Sequence, residues 1–315
     1  MDRMTFQCAS YIKEIGRGKD GARSLSTEDA QLVFSAVLDG AVSDVELGAL
    51  LVAYRVKGES AAELVGMLRA VDAHVAPMPP SAKPVLVIPS YNGARNLPNL
   101  VPLLAGLAAR AGLNVLVHGI TEDASMWGTE RVTTHDVWHA LNWPVVFDAA
   151  GMQQAFTQHG LAFMPIDALC PSIDRLLSLR RVLGVRNSSH TLVKLIQPFG
   201  ADGLLLAAYT HPEYGSTLSE LFLLNGQRAI LMRGTEGEAV ANPRKPARMD
   251  GFEAGTQRVL FSPEDAGHDM IALPARAAEA TAAYIRRVLD HDLAAPVAIT
   301  RQVAICRAAM SEAVL

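Results

Sequence analysis

Cysteine is scarce and odd in number, with only Cys8, Cys170 and Cys306 in 315 residues. Three thiols so widely spaced suit neither a disulfide framework nor a zinc site, and they fit a reducing compartment. Long apolar runs are missing as well. No segment approaches the ~18 residues a membrane span requires, and Met1 to Ser10 carry Asp2 and Arg3 where an export signal would be apolar. A cytoplasmic protein with no membrane partner is therefore expected. Charge of one sign is lacking too: the formal net charge of −4 argues against coating nucleic acid by bulk charge, although it says nothing of local distribution. There is no internal repeat and no low-complexity tract. What the chain does have is a 50% share of hydrophobic residues, enough for a full core and, at this length, for two domains.

The first quarter reads as helices with clear punctuation. Ser43 with Glu46 and Ser60 with Glu63 have capping-box spacing, Ser26 with Glu28 and Asp29 opens an earlier helix, and Gly40 and Gly58 can close two of the three. Leu47, Leu50, Leu51 and Tyr54 recur at helical spacing, so one stripe of their helix must be buried. Prolines 77, 79, 80 and 84 then mark a linker. Beyond it the pattern alternates. Strands are expected at Val85–Ile88, Val115–Val117, Ala162–Met164, Leu204–Ala208 and Ala229–Met232, with helices between them, at Leu100–Ala111 and Ala275–Leu289, and after Pro296. This alternation predicts an α/β fold with a mainly parallel central sheet joined to a small all-helical domain. The expected division is a helical domain over 1–76, with 170–190 packing on it, and an α/β domain made of 84–165 and 191–315.

From the Ser43 helix to about Pro243, the order of motifs resembles the anthranilate phosphoribosyltransferase family (glycosyltransferase family 3, with the nucleoside phosphorylase–phosphoribosyltransferase fold). Leu179-Arg180-Arg181-Val182-Leu183-Gly184-Val185-Arg186 is similar to its R-R-x-L-G-x-R-T segment, Val117-His118-Gly119 to its K-H-G, and Met232-Arg233-Gly234 to its V-H-G. The resemblance implies a site for phosphoribosyl pyrophosphate and magnesium, yet the positions that would build it differ. The family's G-T-G-G-D turn falls on Ser90-Tyr91-Asn92-Gly93-Ala94, its N-x-S-T on Leu100-Val101-Pro102-Leu103, its lysine on Val117, its Asp-Glu pair on Ala239-Val240 and its H-P on Cys170-Pro171. No cofactor or metal is expected on this reading. Ser90, Asn92, Gly93, Arg95, His118 and Gly119 remain as a degenerate phosphate loop, or as an ordinary strand-to-helix turn, since Asn and Gly also suit turns for geometric reasons.

A basic cluster stands out against the acidic background. Between Arg175 and Ala201 there are Arg175, Arg180, Arg181, Arg186 and Lys194 and no acid, and Arg244, Lys245 and Arg248 form a second stretch flanked by prolines. On a single helical wheel Arg180 shares an arc with Ile173, Leu176 and Leu183, which places it in a groove or against a buried partner. The segments SYNGAR, VRNSSHT and RGTEGE resemble the YbiB branch of the family, which implies sequence-independent binding of DNA or RNA in place of transfer chemistry. The expected function is therefore a non-catalytic homodimer, paired through the helical domain. Arg175, Arg180, Arg181, Arg186 and Lys194 would contact the phosphate backbone, with Arg244, Lys245 and Arg248 as auxiliaries and no catalytic residue. Two other readings stand beside it. One is a phosphoribosyl or glycosyl transferase of altered substrate, using Ser90 to Arg95 for phosphate, Arg180 for an acidic acceptor and Glu236 or Glu238 for magnesium. The other is a nucleoside phosphorylase.

Overall fold

The computed structural model describes residues 6–18, 20–122, 131–263 and 271–311, which divide between two compact units: Met1–Ala76 with Cys170–Ile196, and Pro77–Leu169 with Gln197–Leu315. The chain begins with helices α1 (Ala9–Ile15), α2 (Thr27–Leu38), α3 (Asp44–Lys57) and α4 (Ala61–Asp72). Their starts obey local chemistry. The Ser26 hydroxyl accepts from the Asp29 N–H, and Ser60 with Glu63 forms a complete reciprocal box. Ser43 accepts from the Glu46 N–H, but the Glu46 carboxylate turns to the Ser43 hydroxyl and the Cys8 N–H and leaves the Ser43 N–H alone. The long-range bond ties α1 to α3. Glu63 goes further: fully buried, it accepts from the N–H groups of Leu25 and Ser60 and pairs with Lys57 at 2.7 Å.

The chain then builds β1 (Val85–Ser90), α5 (Val101–Arg110), β2 (Asn114–Gly119), α6 (Thr134–Ala140), α7 (Ala149–His159), β3 (Leu161–Pro165) and α8 (Ile166–Leu169). It returns to the helical unit for α9 (Pro171–Ser178), α10 (Arg180–Leu183) and α11 (Ser189–Leu192), where α11 packs on α4 and α9. Leu192, Val193 and Leu195 are all buried, and the helical unit runs to Ile196. The remainder is β4 (Gly203–Tyr209), α12 (Pro212–Asn225), β5 (Ala229–Arg233), β6 (Met249–Glu253), β7 (Thr256–Phe261), α13 (Ala278–Leu289) and α14 (Val297–Ser311).

One seven-stranded sheet results, in the order β3-β2-β1-β4-β5-β6-β7, with β1 to β5 parallel and β6 and β7 antiparallel at one edge. All six residues of β1 and of β2 are buried, as befits central strands covered on both faces. The core joins Leu86, Ile88, Val115 and Val117 to Leu103 and Leu104 of α5, Trp138 of α6, Ile285 of α13 and Ile299 of α14. The edge hairpin departs from the expected strand set. Thr256 to Val259 are exposed, so β7 carries no burial pattern, and the turn places Ala254 at φ 48° and Gly255 at φ 77°. No helix among the described residues is long and apolar enough to cross a membrane.

Candidate functional site

β1 is the point at which strand order reverses: β2 and β3 lie to one side, β4 and β5 to the other. In open α/β sheets ligands bind beyond the carboxyl ends of strands at such a point. Here that place holds the turn Tyr91–Leu97 after β1 and the turn Gly234–Val240 after β5, and the two are joined through carboxylates. Glu238, 2% exposed, accepts from the Ser90 hydroxyl at 2.6 Å and from the N–H groups of Asn92 and Gly93, both at 2.7 Å. Glu236 accepts from the N–H groups of Arg95 at 2.7 Å, Asn96 at 2.9 Å and Leu97 at 3.3 Å, and from the Asn96 side-chain amide at 2.9 Å. Seven donors from Ser90 and the turn after it thus serve two carboxylates of another turn.

Behind Glu238 runs a buried relay of one polarity. Because the Ser90 hydroxyl donates to Glu238, its oxygen accepts from Thr134, 2.6 Å away, and Thr134 accepts in turn from the Asn99 amide at 3.0 Å. Every proton in the relay points toward the carboxylate. Close approach is required on both sides of the clasp. Gly119 pairs with Ser90 across the sheet, and a Cβ at 119 would lie 2.2 Å from the Ser90 carbonyl oxygen. Gly237 sits at φ 90°, and a Cβ there would lie 1.7 Å from the Asn92 side-chain nitrogen. His118 is fully buried, its Nδ1 2.6 Å from the Tyr91 hydroxyl and the two rings edge-on at 5.5 Å. The Arg95 carbonyl accepts from Arg276 at 2.7 Å.

These bonds change the expectation for the loop. Ser90, Asn92, Gly93, Arg95, His118 and Gly119 are brought together, but the N–H groups that a phosphate would need are already serving internal anions. The same geometry bears on magnesium, which prefers carboxylate oxygens with several retained waters. Glu238 is enclosed and fully engaged, Glu236 is spanned by donors, and Ala239 and Val240 offer no oxygen ligand on their side chains. The residues present do not fit the ion. Among the described residues, no group of three His, Cys, Asp or Glu could hold a metal.

The second place is in the helical unit. Arg180 does not continue the helix of Ile173 and Leu176, because α9 stops at Ser178 and α10 is a separate single turn closed by Gly184 at φ 73°. Leu179, itself in the helical region, joins the two, and Arg180 is half-buried while Arg181 and Arg186 are exposed. Around His190 the basic groups converge. Burial first, then the charges of Arg186 and Arg180, and also that of Lys194, hold its imidazole down at about 3, so it is neutral at any ordinary pH. Two residues of the expected contact set are otherwise engaged. Arg175 donates to the Val37 carbonyl at 2.6 Å, capping the last turn of α2, and Arg248 grips Asp250 through Nε at 3.0 Å and Nη2 at 2.8 Å. Arg244 and Lys245 are exposed.

Comparison with known proteins agrees with this architecture. Residues 9–75 match the glycosyl transferase family helical bundle domain. The uncharacterised protein YbiB of Escherichia coli K12 is 39% identical over 305 residues, covering 96% of this chain and 94% of YbiB, and the anthranilate phosphoribosyltransferase of Methylocella silvestris is 28% identical over 82% of this chain and 73% of its own. Among solved structures, the anthranilate phosphoribosyltransferase of Thermus thermophilus superposes with a TM-score of 0.69 at 26% identity, over 95% of this chain and 94% of that one. The Saccharomyces cerevisiae enzyme, solved with PRPP and Mg, shares the fold with a TM-score of 0.68 at 15% identity, over 96% of this chain and 88% of that one. The chain belongs to the anthranilate phosphoribosyltransferase-like family of glycosyltransferases, in the branch that contains YbiB.

Proposed function

We propose that this protein binds the phosphate backbone of DNA or RNA without reading sequence, and that it performs no phosphoribosyl transfer. The observation that carries the binding half is the run of Arg180, Arg181, Arg186 and Lys194 with no acidic residue among them, of which Arg181 and Arg186 are exposed. Several cations held by one short segment release counterions when they meet phosphates, which gives affinity without base contacts. The non-catalytic half is supported by the clasp. Both the transferase and the phosphorylase alternatives need the turn after β1 to accept a phosphate, and there Glu238 and Glu236 hold its N–H groups. A homodimer through the helical unit fits the exposed stripe Val45, Val52 and Val56 along α3, whose spacing keeps all three on one face. Pairing would present two basic segments to one polyanion and raise avidity.

Binding to labelled single-stranded DNA over a salt series tests this. If Arg180, Arg181, Arg186 and Lys194 each meet one phosphate, the logarithmic salt slope is about −2.8, and affinity falls ~50-fold between about 50 and 200 mM salt. The Arg180→Ala, Arg181→Ala, Arg186→Ala variant retains a slope near −0.7 and a fall of only ~3-fold. Binding that ignores salt, or a folded triple variant with the wild-type slope, overturns the reading. A protein that sediments as a monomer at micromolar concentration removes the pairing.

A further inference from the structure

We propose that His135 and His139 form a chelating site on α6 for a divalent transition-metal ion that favours imidazole, such as zinc, nickel or copper. The inference concerns one helix of the α/β unit and stands whether or not the helical unit binds nucleic acid. These are the only two histidines of the chain that are four positions apart, and on a helix that spacing puts both rings on one face. Their ring centroids lie 6.4 Å apart. Two imidazoles that share an ion at metal–nitrogen distances of about 2.0–2.1 Å have centroids about 5 Å apart, so rotation of the side chains alone closes the pair on a metal.

The helix is braced along its length, which holds the two ligands in register. It opens on the reciprocal capping box of Thr133 and Asp136, and Arg286 donates to the Ala140 carbonyl at its other end. Between them Trp138, fully buried, donates through Nε1 to the Pro144 carbonyl at 3.0 Å. His135 is half-buried, its ring 5.4 Å from that of Phe163 on β3, and His139 is exposed one turn further on. One imidazole is therefore fixed against the core while the other can swing onto the ion, so little ordering remains to be done on binding. Neither ring nitrogen has a hydrogen-bond partner among the described residues, and no internal bond has to break. Asp136 gives its carboxylate to the Thr133 N–H and supplies no third ligand, so waters complete the coordination. Ligand type decides the ion: imidazole suits zinc, copper and nickel, whereas magnesium demands oxygen.

Titration of the full-length protein with nickel(II) tests this. Isothermal titration should find one ion bound per chain, and in NMR the paramagnetic ion should broaden the His135 and His139 imidazole signals before those of the other histidines. His139→Ala, at an exposed position, should lower the affinity at least about 10-fold, because the helix presents the second imidazole at a high effective concentration. His135→Phe keeps a ring against Phe163 and should lower it as much. The double variant should bind little more weakly than either single one, since one imidazole cannot chelate. Two independent imidazoles would instead lose capacity at unchanged affinity in each single variant, and that result overturns the proposal. So does a wild-type protein without saturable binding, or a folded His139→Ala protein that binds as tightly as wild type.

Discussion

Replacing Glu238 with Gln tests whether the clasp is held by charge and donor polarity or merely by shape. The glutamine has the same size, and its carbonyl oxygen can still accept from the Asn92 and Gly93 N–H groups. Those two bonds become neutral and lose about 1 kcal/mol each. Its amide nitrogen, however, then faces the Ser90 hydroxyl, whose oxygen already accepts from Thr134. The Ser90 proton is left without an acceptor in a site 3% exposed, at a further cost of about 1–2 kcal/mol. Together these give a loss of ~3 kcal/mol. Glu238→Ala, which leaves all three donors orphaned, should lose ~4–5 kcal/mol. The sequence has no tryptophan in 1–76 or 170–196, and Trp138 and Trp143 lie in the α/β unit, so tryptophan fluorescence in a urea melt carries no signal from the helical one. With a slope of about 2–3 kcal/mol per molar urea, the midpoint of Glu238→Gln should fall by roughly 1 M or more at unchanged slope. A second check is coupling: Ser90→Ala and Glu238→Gln should be non-additive by at least about 1 kcal/mol. A Glu238→Gln midpoint within about 0.3 M of wild type, with the slope unchanged, would refute the argument from polarity.

Two further outcomes follow from the helical unit. The His190 imidazole is held at about 3, below its unfolded value of 6.5, so the unfolded chain binds more protons in that interval; stability is full above pH 6.5 and declines toward pH 3. The decline is about 1.36 kcal/mol per unit at its steepest. His190→Gln should flatten that part of a pH–stability curve, and proton NMR of the wild type should find no His190 titration between about pH 5 and 8. Arg175→Ala should cost about 1 kcal/mol, through loss of its bond to the Val37 carbonyl, and leave the salt slope of DNA binding unchanged. A lowered slope would restore Arg175 to the phosphate contacts.

The features legible in the sequence are those that depend on near neighbours. Ser60 and Glu63 are three residues apart, and one turn of helix brings them together whatever the rest of the chain does. The buried strands β1, β2, β4 and β5 announce themselves because both faces must be apolar. β7 does not, because an edge strand with exposed side chains carries no such pattern. A wheel drawn as one helix through Leu179 misses the break there, where α9 ends and a new turn starts. The clasp lies beyond reach for a different reason. Glu238 and Ser90 are 148 positions apart, and Glu236 and Arg95 are 141 apart, so only the sheet order brings them together. Glu236 and Glu238 stand out as possible metal ligands, yet nothing in their neighbours says that a loop far upstream spends its donors on them.

The helical unit is assembled from two stretches of chain separated by 93 intervening residues, since Ala76 is its last contribution before Cys170 resumes it. On the ribosome, at roughly 5–20 residues per second, α4 therefore waits about 5–20 s before the second stretch, whose α11 packs on it, begins to emerge. During that interval the intervening polypeptide, which includes β1 to β3, emerges with its own partners β4 and β5 still unmade. The helical unit cannot be completed before the other has begun, so a truncated or stalled chain ending between residues 119 and 196, once β1 and β2 are made, exposes two unfinished surfaces at once, and fragments meant to isolate the helical unit must rejoin 170–196 to 1–76 through a designed connection.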